Sequence, residues 1–223
     1  MNIVKPRKNN NLPKTEQLIE EIIDEELISK QIENITLANI EIYDVKFETL
    51  KMFNVEITNS RLEKNTFTDI TFENCNFSNT SFENSIFIRC EFKNCKMTGC
   101  NFIEARLYNV SFEETNINYA NLSTTSLENV LFKNTGLRNS NFQENNLKNI
   151  YFEKADLTQA MITKTSFKNI DLSDSIIEGM AVSIEDIKGA TISQFQAVDL
   201  LYLIGVKIKM WGNLWKYFLK PYL

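Results

Sequence analysis

The sequence predicts an all-β solenoid in which four short strands make each turn, and three observations carry that reading. An apolar residue occupies every fifth position from Ile32 to Ile192, thirty-three positions without exception. The residue two before each of these is small or β-branched along much of the chain, as in Cys75, Thr80, Ser85, Cys90, Cys95, Cys100 and Ala105. Like residues also recur every twenty: Phe72, Phe92, Phe112, Phe132 and Phe152 fall in one file, and Ile70, Cys90, Val110, Val130, Ile150 and Ile170 in another.

A period of five fits neither regular element. On an α-helix it walks around the axis and defines no face, and on a straight strand it points alternately in and out. The column can be buried only if the chain turns a corner between pentads, so each pentad is one short strand and one bend. A residue two away on a strand shares its face, so the small column also points inward. Stacking at fifteen would set Ile70 beneath Ser85 and Cys100, whereas stacking at twenty sets it beneath Cys90 and Val110. Four pentads therefore close one turn. About eight coils at ~4.8 Å each give a rod roughly 40 Å long. The outward residues Glu73, Lys93, Glu113, Lys133 and Glu153 alternate in sign at the same spacing, which predicts opposite charges side by side on neighbouring coils, each exposed pair worth about 0.2–1 kcal/mol.

Pentads such as Ala120-Asn121-Leu122-Ser123-Thr124 and Ala155-Asp156-Leu157-Thr158-Gln159 resemble those of the pentapeptide-repeat proteins over roughly three quarters of the chain. The resemblance implies a right-handed quadrilateral β-helix. Members of the Qnr and MfpA type are dimeric rods of duplex-like width and charge that bind DNA gyrase or topoisomerase IV and blunt quinolones. The segment from Lys188-Gly189-Ala190 through Gln196-Ala197 to Lys207 resembles the terminal helix that closes the rod in that family and often supports a dimer.

Three regions follow from the pattern: residues 1–29 as an N-terminal tail and cap, 30–192 as the β-helix, and 193–223 as a C-terminal helix and aromatic tail. Residues 1–12, polar and basic with Pro6 and an Asn run, are expected to be disordered. Over 14–24, Thr15 as a cap and the stripe Leu18, Ile19, Ile22 and Ile23 predict a short helix or an irregular lid over the first coil. Such a lid is needed because a bare solenoid end exposes apolar side chains and an unpaired edge. The first two coils carry larger inward residues (Ile35, Ile40, Val45, Leu50, Val55) and should be wider or distorted. Asn65 and Asn145 stand at inward positions, where a buried amide must find partners. After Gly179 the pattern fades, Met180, Glu185 and Asp186 being poor inward residues. Ser193, the apolar positions of 194–204 and Gly205 predict a capped helix. Trp211, Leu214, Trp215 and Phe218 lie on one helical stripe beside Lys216 and Lys220. That stripe suits a symmetric dimer contact, packing on the chain's own rod, or a membrane surface.

Composition names no chemistry. The chain has 24 basic and 29 acidic residues, a net charge of −5, and no histidine. The acidic excess lies in the repeat. Without histidine the commonest general base and metal ligand is missing, no phosphate-cradling glycine loop exists, and no base stands beside a Ser or Cys nucleophile. Cys75, Cys90, Cys95 and Cys100 lack zinc spacing and read as reduced core residues, although Cys75 and Cys95 would stack in adjacent coils. No secretory or membrane-spanning run is evident, so a cytoplasmic location is expected. The expectation is a non-enzymatic binding protein without cofactor or metal. Its partner would be another protein, a type II topoisomerase or a different target met by a flat face, with no direct nucleic-acid binding. Ile88, Ile103 and Tyr108, apolar at outward or corner positions, are candidates for a partner surface.

Overall fold

The computed structural model describes residues 3–7, 9 and 11–207. It is a parallel β-solenoid of about eight coils. Its lower part contains β1 (Lys14–Thr15), β2 (Glu26–Ile28), β3 (Gln31–Glu33), β4 (Thr36–Ala38), β5 (Glu41–Tyr43), β6 (Lys46–Glu48), β7 (Lys51–Phe53), β8 (Glu56–Thr58) and β9 (Arg61–Glu63). Above these the strands on two adjoining faces fuse into continuous runs of 8 residues: β10 (Thr66–Glu73), β11 (Ile86–Lys93), β12 (Arg106–Glu113), β13 (Ser126–Lys133) and β14 (Asn146–Glu153). The upper end carries β15 (Met161–Ile162), β16 (Ala181–Val182) and two short helices, α1 (Ile184–Ile187) and α2 (Ala197–Leu200), the second running into a 3-10 turn over Leu201–Ile204.

From β2 upward the register is twenty residues. Phe72 pairs with Phe92, Phe92 with Phe112, Phe112 with Phe132 and Phe132 with Phe152. Their rings stack at centroid distances of 4.4, 4.9, 5.2 and 5.2 Å. A second file stacks Phe47, Phe67 and Phe87 at 5.0 and 4.6 Å. Between the files the rings meet edge to face, as Phe67 and Phe72 do at 6.4 Å. Both geometries suit the ring quadrupole. The interior is filled by these buried side chains. At its lower end, among Leu18, Ile42, Phe47 and Met52, the space left is about 10 Å³, too little for more than one water.

The corners explain how a five-residue period closes. From Ser29 to Asn169 every fifth residue is left-handed, with φ between +49° and +71°. Fourteen of these are Asn, the non-glycine residue that tolerates this region best. Side chains of this column ladder from coil to coil, Asn54 Nδ2 donating to Asn34 Oδ1 at 3.1 Å and Asn94 Nδ2 to Asn74 Oδ1 at 2.7 Å. At tight corners the backbone closes a turn, as Thr80 N donates to Phe77 O at 3.0 Å. At open corners an inward polar side chain from the coil above takes the free N–H: Asn65 Oδ1 accepts from Val45 N at 2.8 Å, and Thr115 Oγ1 from Cys95 N at 3.4 Å. Inward hydroxyls and thiols also donate to the central carbonyl of the coil below, Thr80 Oγ1 to Ile57 O at 2.8 Å and Thr135 Oγ1 to Phe112 O at 2.9 Å. The small inward column is therefore polar for a reason: it satisfies backbone groups that the corners leave open.

Several expectations change. Parallel pairing begins before residue 30, at β1, where Lys14 pairs with Gln31, and the coil register is in place at β2, with Leu27 beside Phe47. No helix forms over 14–24; the lid is irregular, and Leu18, 3% exposed, plugs the column. In the lower coils each face is its own 3-residue strand. Met180 is inward and buried, whereas Glu185 and Asp186 leave the strand pattern for α1, capped by Ser183, whose Oγ accepts from Asp186 N at 3.1 Å. The C-terminal helix begins only at Ala197, and Gly205, at φ +71°, ends it. Gln196 closes the top, its Nε2 donating to Leu172 O at 2.7 Å and Ser175 O at 2.6 Å. The expected side-by-side ion pairs are in register, but Lys93 Nζ turns to Glu91 on its own strand at 2.8 Å. Trp211, Leu214, Trp215 and Phe218 lie outside the described residues.

Candidate interaction surface

The fused strands β10 to β14 make two adjoining faces of the rod that meet at a corner column of Asp69, Arg89 and Asn109. The corner residues are left-handed (φ +56°, +52° and +57°), which swings their side chains outward together. Asp69 stands here as a carboxylate whose side chain is only 1% exposed. Arg89 closes over it from the next coil, Nε to Oδ1 at 2.6 Å and NH2 to Oδ2 at 2.7 Å. Burial pushes the Asp69 carboxyl up, yet the Arg89 guanidinium and the Arg7 N–H together hold it below the usual carboxylate range.

The cover on this surface comes from the N-terminal segment, which is docked where disorder was expected. Residues 3–7 run along the rod across the coils, descending to β1, which pairs with β3. Val4 N donates to Asn109 Oδ1 at 3.2 Å, and Arg7 N to Asp69 Oδ1 at 3.0 Å. Lys5 Nζ lies 3.4 Å from Glu91 Oε1, and Arg7 Nε 3.8 Å from Asp69 Oδ2. Beneath this strap the outward residues Glu91, Ser111 and Leu131 are 7%, 4% and 6% exposed. Two clefts border it, one of about 320 Å³ between Ile3, Val4 and Ser111, Leu131, the other of about 280 Å³ beside Arg7, Asp69 and Thr71.

The candidate surface residues divide. Ile88 and Tyr108 are directly paired across β11 and β12, half-buried, and stand next to the Arg89 and Asn109 corner. Ile103 is on the preceding face, where its carbonyl accepts from Asn84 N at 3.0 Å, and so does not join them. Asp69, Glu91, Asn109 and Ser111 were not singled out from sequence. The one hint was Leu131, an apolar residue in an outward column otherwise occupied by Thr71, Glu91, Ser111 and Tyr151.

All four cysteines are free and buried. Burial pushes the Cys90 and Cys100 thiols up to about 12, and Cys95 rises through its contact with Cys75 and through burial. Among the described residues no cluster of His, Cys, Asp or Glu is placed to hold a metal, and no helix is long and apolar enough to cross a membrane.

The repeat matches two family models, "Pentapeptide repeat region" over residues 85–162 and "Pentapeptide repeats (8 copies)" over 67–102. Residues 67–162 of the solenoid carry pentapeptide repeats. Among solved structures it is similar to HetL, a pentapeptide-repeat protein involved in heterocyst differentiation regulation from the cyanobacterium Nostoc, with a TM-score of 0.60 and 14% identity over 74% of this chain and 84% of that one. It is also similar to QnrB1, a plasmid-mediated fluoroquinolone resistance protein, with a TM-score of 0.41 and 20% identity over 78% of this chain and 100% of that one. At these identities the pentapeptide-repeat likeness is one of fold. No curated protein matches the chain in sequence.

Proposed function

We propose that this pentapeptide-repeat protein is a non-catalytic rod that binds another protein through the two-face surface of β10 to β14. The observation that carries the reading is the joining there of a flat, rigid sheet, the apolar pair Ile88 and Tyr108, and a corner of buried charge. A filled interior leaves the outside as the place where the molecule can act. Replacing Ile88 and Tyr108 together by Ser tests it. The variant should keep its far-UV circular dichroism and lose the proteins that the unaltered chain captures from a lysate of its source cells. Unchanged capture would overturn the reading.

A second reading makes the rod a DNA-mimicking ligand of a type II topoisomerase. The repeat region 30–194 supports it with 22 acidic against 16 basic residues, and the alternation of Glu73, Lys93, Glu113 and Lys133 weighs against a continuous acidic stripe. A gyrase supercoiling assay with a fluoroquinolone decides. Neither binding nor rescue at micromolar protein would exclude it. The cap leaves Phe195, Val198, Tyr202 and Ile204 80%, 53%, 51% and 65% exposed. Such a patch favours a homodimer through the C-terminal end, and light scattering on the full chain and on an F195S/V198S/I204S variant should show a dimer only for the former.

A further inference from the structure

We propose that the surface under residues 3–7 is a recognition site for an extended basic peptide of a partner protein, apolar-Lys-Pro-Arg in character. Residues 3–7 are a built-in occupant that such a peptide displaces. This rests on the reading of the molecule as a binding rod and specifies which surface is used and what it reads.

The contacts are ones that any peptide of this kind can make. Two are to main-chain N–H groups, taken by Asn109 Oδ1 and Asp69 Oδ1. Two are carboxylates facing cations, Glu91 with Lys5 and Asp69 with Arg7. The geometry is that of a ruler. Asn109 and Asp69 are the same corner two coils apart, about 9.6 Å at the strand spacing, and three extended residues from Val4 to Arg7 span about 10 Å. Pro6 favours this shape, because it biases the residue before it toward extended backbone. Leu131 supplies an apolar seat at the end of the site where Ile3 lies.

The resident segment fits imperfectly, which is why it can be exchanged. Ser111 Oγ and Glu91 Oε1 are buried beneath it without a hydrogen-bond partner; Glu91 Oε1 has the Lys5 ammonium at 3.4 Å as an ion pair only. A peptide with a hydroxyl or amide donor at that height would satisfy groups that residues 3–7 leave open. The Lys5 and Arg7 side chains are 68% and 78% exposed, so their ion pairs hold the segment weakly.

The test uses fluorescence anisotropy with a labelled peptide of residues 2–7 and the full chain. In one variant K5E/R7E unseats the strap by charge reversal at two exposed side chains, leaving the rod intact. The peptide should bind that variant about tenfold or more tightly than the unaltered chain, because a tethered occupant competes at a high effective concentration. Adding E91Q should weaken binding to the released variant about fivefold, and a peptide with Glu at both basic positions should not bind. Equal binding to the released and unaltered chains, no binding to the released chain, or equal binding of the charge-reversed peptide would each overturn the proposal. Because no partner protein is present, failure here with the Ile88 and Tyr108 result intact would remove the self-occupied site and leave the binding rod standing.

Discussion

Replacing Phe112 by Ala should be among the most damaging single changes available to this chain. The ring is fully buried and lies between Phe92 at 4.9 Å and Phe132 at 5.2 Å, in the middle of a file of five. Loss of a buried Phe to Ala costs about 3–5 kcal/mol, and each stacked neighbour adds about 0.5–1.5 kcal/mol beyond area. A total near 5 kcal/mol is a large share of the ~5–15 kcal/mol that holds a domain together. In urea, with a slope of about 2.5 kcal/mol per molar, the midpoint should fall by about 2 M. Because each coil touches only its neighbours, the damage should be local first. Amide exchange should quicken in β11, β12 and β13 before the lower strands. Phe112→Leu, which keeps most of the volume, should cost less than half as much. A loss below about 2 kcal/mol for the Ala variant, or exchange that quickens evenly along the rod, would show that the ring file does not set the packing.

Tyr119 is left-handed at φ +61° and 64% exposed, so Tyr119→Asn should raise stability by about 0.5–1 kcal/mol in the same urea titration. Asn65→Ala removes the partners of Val45 N and Ile42 O inside the column; with about 1–3 kcal/mol for each orphaned group, the midpoint should fall by about 0.8–2.4 M at the same slope. Acid should loosen the rod and the strap together. The Asp69 carboxyl is held below its ordinary value, so its contribution is complete above the unfolded value near 4 and is lost as pH falls through the lower folded one. Asp69→Asn, which keeps a residue suited to left-handed backbone, should show a flatter acid limb in thermal melts between about pH 5 and 2. The four thiols should resist iodoacetamide at pH 8 in the native state and all react in denaturant, because burial keeps Cys90 and Cys100 protonated with pKa values pushed to about 12.

Most of what points inward was legible, Met180 excepted, because burial in a narrow column permits few residue types and repeats them. Phe92 and Cys90 are where periodicity places them. The left-handed corner column could have been read as well, since Asn recurs two residues after the apolar centre at Asn34, Asn39, Asn54 and Asn59, but apolar spacing alone does not show it. The caps were only half legible. Ser193 and Gly205 mark a helix, whereas Gln196 earns its place from the carbonyls of Leu172 and Ser175, which are free only because no further coil follows. The strap was hidden altogether. Its residues belong to no repeat, and Pro6 among Lys and Asn has the composition of a disordered tail. What docks it is a match of spacing between an extended segment and the coil repeat, a relation between two parts of the chain that neither part reveals.

Burial means different things on the two sides of this sheet. Inside, a residue is buried because the coil closes over it, so low exposure at Phe112 or Ala120 reports folding and nothing else. Outside, the coil leaves every side chain free, and the solenoid has no need to cover one. Glu63 is explained locally, since Arg61 on its own strand folds over it with bonds of 3.0 and 2.8 Å. Asp69, Glu91, Ser111 and Leu131 are 3–7% exposed and come from four successive coils; Arg89 meets Asp69 and Lys93 meets Glu91 within the repeat, and all four also border residues 3–7. Their common cover is residues 3–7. Stability is therefore carried by the inward columns and contact by the outward ones. K5E/R7E should accordingly uncover Glu91, Ser111 and Leu131 while shifting the urea midpoint by no more than a few tenths of a molar, the scale expected of exposed ion pairs.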